Sequence, residues 1–256
     1  MEISLEVILF LVLAAAFAGL VDSIAGGGGL IQLPALLVAL PQLPPAQLLG
    51  TNKLPSFLGT ASATISYLRR LRPDFRLALS MAIPAFIGSA AGATIATLIP
   101  KDAFRPIILF ALVGVFIHTL RNRELGIVEA KRFPGRRRLI IGAATGASIG
   151  FYDGIFGPGT GSFLMLALVS ILGFAFLEAS VTAKIVNLAT NLGAIIVFGI
   201  SGKVLWILGF SMALGNIIGG LIGARWALRG GSVLIRQVFL AVTALLIVRL
   251  AIDTFF

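Results

Sequence analysis

Cysteine is absent from this 256-residue chain and histidine occurs once, at His118. The first absence excludes disulfides, thiolate metal sites and thiol relays. With one histidine and no cysteine, the sequence shows no Ser/His/Asp and no metal constellation. No metal, cofactor or enzymatic activity is therefore expected. Charge is scarce as well: 12% of residues are charged, against roughly 25% in a soluble domain. Acidic residues are few, 10 against 20 basic, for a net charge of +10. That excess would suit nucleic acid, but its placement argues against it. Four basic residues fall in "RRLRPDFR" (69–76) and seven in "RNRELGIVEAKRFPGRRR" (121–138), together eleven of the twenty. Short basic clusters between apolar runs mark the cytoplasmic side of a membrane protein and lie well against anionic lipid.

What the chain has in abundance is apolar sequence. Hydrophobic residues make up 58%, and the mean hydropathy is +1.06. Apolar runs near twenty residues recur from end to end, which predicts an all-α polytopic membrane protein. The first run, residues 3–18, ends in "AAAFA" like a signal-peptide cleavage site. Glu2 and Glu6 make its flank acidic rather than basic, so the segment is expected to stay in the mature protein.

The sequence repeats itself at an offset of 131. Gly19, Asp22, Ile24, Gly26 and Gly28 fall on Gly150, Asp153, Ile155, Gly157 and Gly159. Without a gap, Thr51 and Lys53 fall on Thr182 and Lys184, Ser80 and Met81 on Ser211 and Met212, and Arg105 on Arg236. Chance matches among membrane helices favour Leu, Ala and Gly, so matches at Asp, Lys and Arg carry the duplication. The expected organisation is a first transmembrane repeat over 1–120, a basic cytoplasmic linker over 121–138 and a second repeat over 139–256.

Charge then sets direction. Residues 69–76 read as inside, while their equivalents around 199–207 carry one lysine and read as outside. The "PKDAFR" turn reads as outside, while Arg225, Arg229 and Arg236 place the corresponding turn inside. The halves should run in opposite directions, as in the inverted-topology repeats of secondary transporters. Spans are expected near 75–98, 103–120, 177–198 and 204–224. Short segments flank each glycine cluster, 3–21 with 30–40 and 139–151 with 162–173. Counting each of those as a helix gives about five helices per repeat, with both termini outside.

The glycine clusters "GLVDSIAGGGG" (19–29) and "GFYDGIFGPGTG" (150–161) predict tight turns inside the membrane. Gly27, Gly28 and Gly29, and Gly159, Thr160 and Gly161, would offer backbone N–H groups at the start of the next helix, a favourable place for an anion. Close helix packing is the competing explanation for glycine in membranes, and it is the one expected for Gly88, Gly92, Gly219 and Gly223. Lys53 and Lys184 lie well inside apolar spans, where an insertion scale charges a central lysine roughly 2.5–3.5 kcal/mol. Snorkelling to a helix end would relieve that. Their equivalence and their polar company instead make them candidate substrate ligands: Thr51 and Asn52 beside one, Thr182, Asn187 and Asn191 beside the other. Pro55 should break or kink the helix near Lys53. Asp22 and Asp153 are either helix caps or proton carriers that balance the lysines. Glu178 should favour a helix N-terminus.

The stretches "GLVDSIAGGGGLIQLPALL", "GTNK", "GFYDGIFGPGTGSFLM" and "TAKIVNLATN" resemble the TauE/SafE family of sulfite exporters and related membrane permeases. The resemblance covers nearly the whole chain, although Pro158 and Thr160 depart from an all-glycine run. It implies transport of small sulfur oxyanions or organosulfonates across the bacterial inner membrane. The expected partners are a small anionic substrate and membrane lipid, with a homodimer allowed and no nucleic acid. An anion channel, a carrier of another small carboxylate or oxyanion, and an intramembrane enzyme or assembly subunit are the other readings.

Overall fold

The computed structural model describes residues 3–96, 129–130 and 132–255. The expected span at 103–120, the "PKDA" turn, His118 and half of the basic stretch 121–138 lie outside these residues. All regular structure among the described residues is helical. It comprises α1 (Leu5–Ala25), α2 (Gly29–Ala39), α3 (Pro45–Leu68), α4 (Phe75–Ala96), α5 (Gly135–Ile155), α6 (Thr160–Ser170), α7 (Phe176–Ile200) and α8 (Trp206–Phe255).

Local chemistry accounts for the boundaries. Ser4 caps α1, accepting the Val7 N–H at 3.4 Å, and Gly26 ends it in the left-handed conformation, φ 77°. Pro45 starts α3, where its missing N–H costs nothing. Asp74 caps α4 by accepting the Leu77 N–H at 3.1 Å. Glu178 lies in the first turn of α7, as expected. Four segments, Leu5–Ala25, Phe75–Ala96, Phe176–Ile200 and Trp206–Ala241, are long and apolar enough to cross a membrane. Exposed residues repeat every fourth position on α1 (Leu5, Leu9, Leu13, Phe17), on α4 (Phe75, Leu79, Ile83, Ile87) and on α8 (Phe210, Leu214, Ile218, Ile222). Such stripes suit lipid and would be aggregation surfaces in water. By contrast α2 and α6, at 11 residues each, rise about 16 Å, half of the hydrocarbon core.

Three expectations need correction. Residues 139–151 are not a short segment, because the helix that holds them, α5, already starts at Gly135 and takes in the arginine run 136–138. Charged residues are good helix formers, and a hydropathy boundary misses them. The turn expected across 225–236 is a single break at Gly231, φ 61° and ψ −161°, with helix on both sides. Of the break or kink expected at Pro55, the break is excluded, because α3 runs from Pro45 to Leu68 with Pro55 inside it. The carbonyl of Thr51 merely loses its usual donor.

Helix starts repeat as the sequence does. α2 and α6 begin at 29 and 160, α3 and α7 at 45 and 176, α4 and α8 at 75 and 206, each pair 131 apart. Packing repeats with them, exchanged between halves. α8 lies along α1 in the same direction, with Gly215 on Val12, Gly219 on Ala16 and Gly223 on Leu20. α4 lies along α5, with Gly88 on Ala147 and Gly92 on Phe151. A Cβ at any of these glycines would strike the neighbouring backbone, so they are close-packing positions. α3 and α7 run antiparallel. Gly50, near the start of α3, meets Phe198 near the end of α7. Tyr67, near the end of α3, lies 5.9 Å beneath the Lys184 ammonium in the first half of α7.

The loops collect at two ends. Arg138 pairs with Asp74, the Ala130 and Arg132 N–H groups donate to Gly173 and Leu172, and the Leu177 N–H donates to Ser232 Oγ. The first basic stretch, the described residues of the second (129–130 and 132–138) and the Gly231 break thus share one end. At the other, Ile3, Val7 and Ile8 cluster with Leu40, Leu43, Leu48, Leu205 and Leu208.

Candidate functional site

The two glycine turns meet. Gly26 offers its carbonyl to the Ser162 N–H at 3.0 Å, and Ser162 Oγ donates to the Ala25 carbonyl at 2.9 Å. Gly161 packs against Gly26 so closely that neither could carry a side chain. Gly157 and Gly159 hold the second turn with φ of 83° each, a conformation that only glycine adopts without strain. Gly29 approaches Pro158 across the junction, and the Gly27 carbonyl accepts the Leu30 N–H within its own turn.

Each lysine reaches the aspartate of the other half. Lys53 on α3 lies 2.7 Å from Asp153 Oδ2 on α5, with both side chains 2% exposed. It also donates to the Asp153 backbone carbonyl at 2.9 Å. Lys184 on α7 donates to the Asp22 backbone carbonyl at 2.7 Å, while its ammonium stays 3.8 Å from Asp22 Oδ2. Neither lysine snorkels. Formally the four charges cancel, and the pairing ties α3 to α5 and α7 to α1 at the point where those two helices end.

Hydroxyl groups complete the carboxylates. Asp153 Oδ1 accepts from Thr160 Oγ1 at 2.6 Å, and Oδ2 accepts from Ser89 Oγ at 3.4 Å. Asp22 Oδ1 accepts the Gly28 N–H at 3.3 Å, and Oδ2 accepts from Thr60 Oγ1 at 3.3 Å. Asp22 thus lies inside the last turn of α1 and also accepts the N–H of Gly28, the residue just before α2. Beside this cluster runs a chain of amides: Asn216 Nδ2 donates to Gln32 Oε1 at 2.6 Å, and Gln32 Nε2 to the Asn52 carbonyl at 3.3 Å. Asn52 Oδ1 is buried without a hydrogen-bond partner.

The remaining expected residues divide. Thr160 and Gly161 belong to the junction. Thr51 does not, because its hydroxyl accepts the Leu205 N–H at 3.0 Å and so anchors the loop before α8. Asn187 and Asn191 bond within α7, Asn191 Nδ2 donating to the Asn187 carbonyl at 2.8 Å, and Thr182 is buried on the same helix. Ser89, Thr60, Gln32 and Tyr67 were not legible as site residues. Thr60 carried a signal that the offset could have revealed, since its equivalent is Asn191, polar as well. Ser89 carried none, because its equivalent is Gly220.

The sequence model of the family described as Sulfite exporter TauE/SafE matches residues 11–250. The chain is 39% identical over 252 residues to a probable membrane transporter protein, ORF9, of Sinorhizobium, covering 98% of this chain and 95% of that protein. It is 35% identical to a probable membrane transporter protein of Haemophilus influenzae, covering 99% and 98%. With the probable membrane transporter protein YfcA of Escherichia coli K12 it shares 38%, covering 94% and 88%. No solved structure matches the chain. A family match over nearly its full length, and relatives this similar from end to end, establish that the chain belongs to the TauE/SafE family of membrane transporters.

Proposed function

We propose that this protein is a secondary transporter that moves a small anion, sulfite or a related sulfur oxyanion or organosulfonate, across the bacterial inner membrane together with protons. The observation that carries the reading is the crossed pairing of Lys53 with Asp153 and of Lys184 with Asp22. The family description supplies the sulfur chemistry. The antiparallel α3 and α7, and the shared end of the basic stretches, support inverted repeats with that end in the cytoplasm and the termini outside.

Charge explains the coupling. An empty core holds two lysines and two aspartates and is near neutral. A dianion would leave it at −2, a costly state in a low-dielectric site. Protonating one aspartate halves that excess and protonating both restores neutrality, freeing lysine for the anion. Linkage then requires that acid tighten anion binding. The glycine-turn N–H groups add donors at the helix starts. Purified protein should be stabilised on heating by at least one of sulfite, sulfate, thiosulfate, taurine or sulfoacetate. Lys53→Met combined with Asp153→Asn removes both buried charges, and should abolish that stabilisation while the protein still folds. Undiminished binding in this double variant and in Lys184→Met would exclude the lysines as ligands.

A further inference from the structure

We infer that Asn52, with Gln32 and Asn216 beside it, forms a neutral subsite that takes a hydrogen-bond donor from the substrate's carbon arm. The anion this chain selects is then a small sulfonate ending in a hydroxyl or amino group, rather than a bare oxyanion. The inference rests on the transport reading above and narrows its substrate.

Three amides are buried among apolar helices: Asn52 on α3 at 3% exposure, Gln32 on α2 at 0% and Asn216 on α8 at 4%. Polar groups at such positions are costly and mark functional sites when they are not simply knitting helices together. Two of the three do knit. Asn216 Nδ2 donates to Gln32 Oε1 at 2.6 Å, and Asn216 is seated against Gly19 of α1 and Gly59 of α3, where a Cβ would strike it. Gln32 Nε2 donates to the Asn52 backbone carbonyl at 3.3 Å. The Asn52 side chain differs. Its Oδ1 is buried and meets no donor among the described residues. An orphaned buried acceptor costs about 1–3 kcal/mol, and a ligand that brings a donor relieves that cost.

The repeat singles out the same three residues. Lysines, aspartates and glycine turns occur in both halves, a two-fold frame that suits a compact oxyanion. The amides break it: the offset of 131 sets Phe163 opposite Gln32, Ala183 opposite Asn52 and Ala85 opposite Asn216. A one-sided polar patch fits a one-sided substrate, anionic at one end and neutral at the other. The patch also borders the charged frame. Asn52 adjoins Lys53. Gly59, beneath Asn216, precedes Thr60, which donates to Asp22 Oδ2 at 3.3 Å. Gly19, also beneath Asn216, lies within one turn of Asp22 on α1. A sulfonate held by the frame would carry its arm to the amides, and a terminal hydroxyl or amino group would donate to Asn52 Oδ1. A site built to bond such a group rejects the analogue that lacks it.

Thermal titrations of the purified full chain with hydroxyethanesulfonate, ethanesulfonate and methoxyethanesulfonate compare a donor, neither group and an acceptor on one arm. The hydroxy compound should bind about tenfold or more tighter than the other two. In Asn52→Leu, which is close to asparagine in shape, that preference should vanish, the hydroxy compound falling to the level of ethanesulfonate. If Asn52→Leu does not fold, Asn52→Ala carries the comparison. Equal binding of the hydroxy compound and ethanesulfonate by the parent overturns the inference, as does tightest binding of the methoxy compound, or a preference kept in the Asn52 variant. A chain that binds thiosulfate but shows no donor preference defeats this inference alone and leaves the transport reading. A donor preference lost in the variant, in a chain that carries none of these anions into proteoliposomes, upholds the subsite and defeats the transport reading. Binding of none of them defeats both.

Discussion

At the scale of single residues, the site is a balance of buried charges, and removing one should cost more than removing two. Lys53→Met strands Asp153, 2% exposed, and should destabilise by about 3–5 kcal/mol, the usual penalty for breaking a buried pair. Lys53→Met with Asp153→Asn should recover most of that loss, a coupling that a double-mutant cycle in detergent measures. Lys184→Met should cost less, because Asp22 is 16% exposed and its ion-pair distance is 3.8 Å. The lysines and aspartates were legible in the sequence because charge stands out against an apolar background and because they repeat. Their crossed pairing was not legible: an offset says which residues are equivalent, not which ones touch. Ser89 stayed hidden for a related reason, since a lone serine in a membrane helix usually bonds its own backbone.

At the scale of elements, glycine does two separate jobs, and substitution separates them. Leucine at Gly219 would drive into the Ala16 backbone of α1, and at Gly88 into that of Ala147 on α5. Each should destabilise by about 1–3 kcal/mol or more, read as a lower unfolding temperature. Alanine at Gly28 would strike Ala18 and Asp22 and disturb the turn that feeds the carboxylate, whereas at Gly29 its methyl would sit 3.4 Å from Pro158. Gly29→Ala should therefore be tolerated, and Gly28→Ala should impair anion binding. The long apolar helices and the short α2 and α6 could be read from apolar runs and glycine punctuation. Helix ends could not, where charged residues continue a helix, as at 136–138, or where one glycine interrupts it, as at Gly231. Hydropathy reports where lipid is tolerated; backbone hydrogen bonding decides where the helix stops.

At the scale of the whole molecule, two halves exchange partners so that neither site is complete within one repeat. α1 packs on α8 and α5 on α4, and each lysine crosses to the opposite aspartate. A chain without cysteine lets single cysteines report sidedness. Cysteine at the exposed position 201 should react with an impermeant thiol reagent from outside intact cells, and cysteine at 136 only after the membrane is opened. The opposite pattern would reverse the proposed orientation. The central claim concerns what passes between the halves, and proteoliposomes test it most directly. With an inward gradient of sulfite or thiosulfate and no imposed voltage, a pH dye in the lumen should report acidification that follows anion entry. Lys53→Met/Asp153→Asn should lose both fluxes. Anion entry without any proton movement in the parent, or coupled flux unchanged in that variant, would contradict the account.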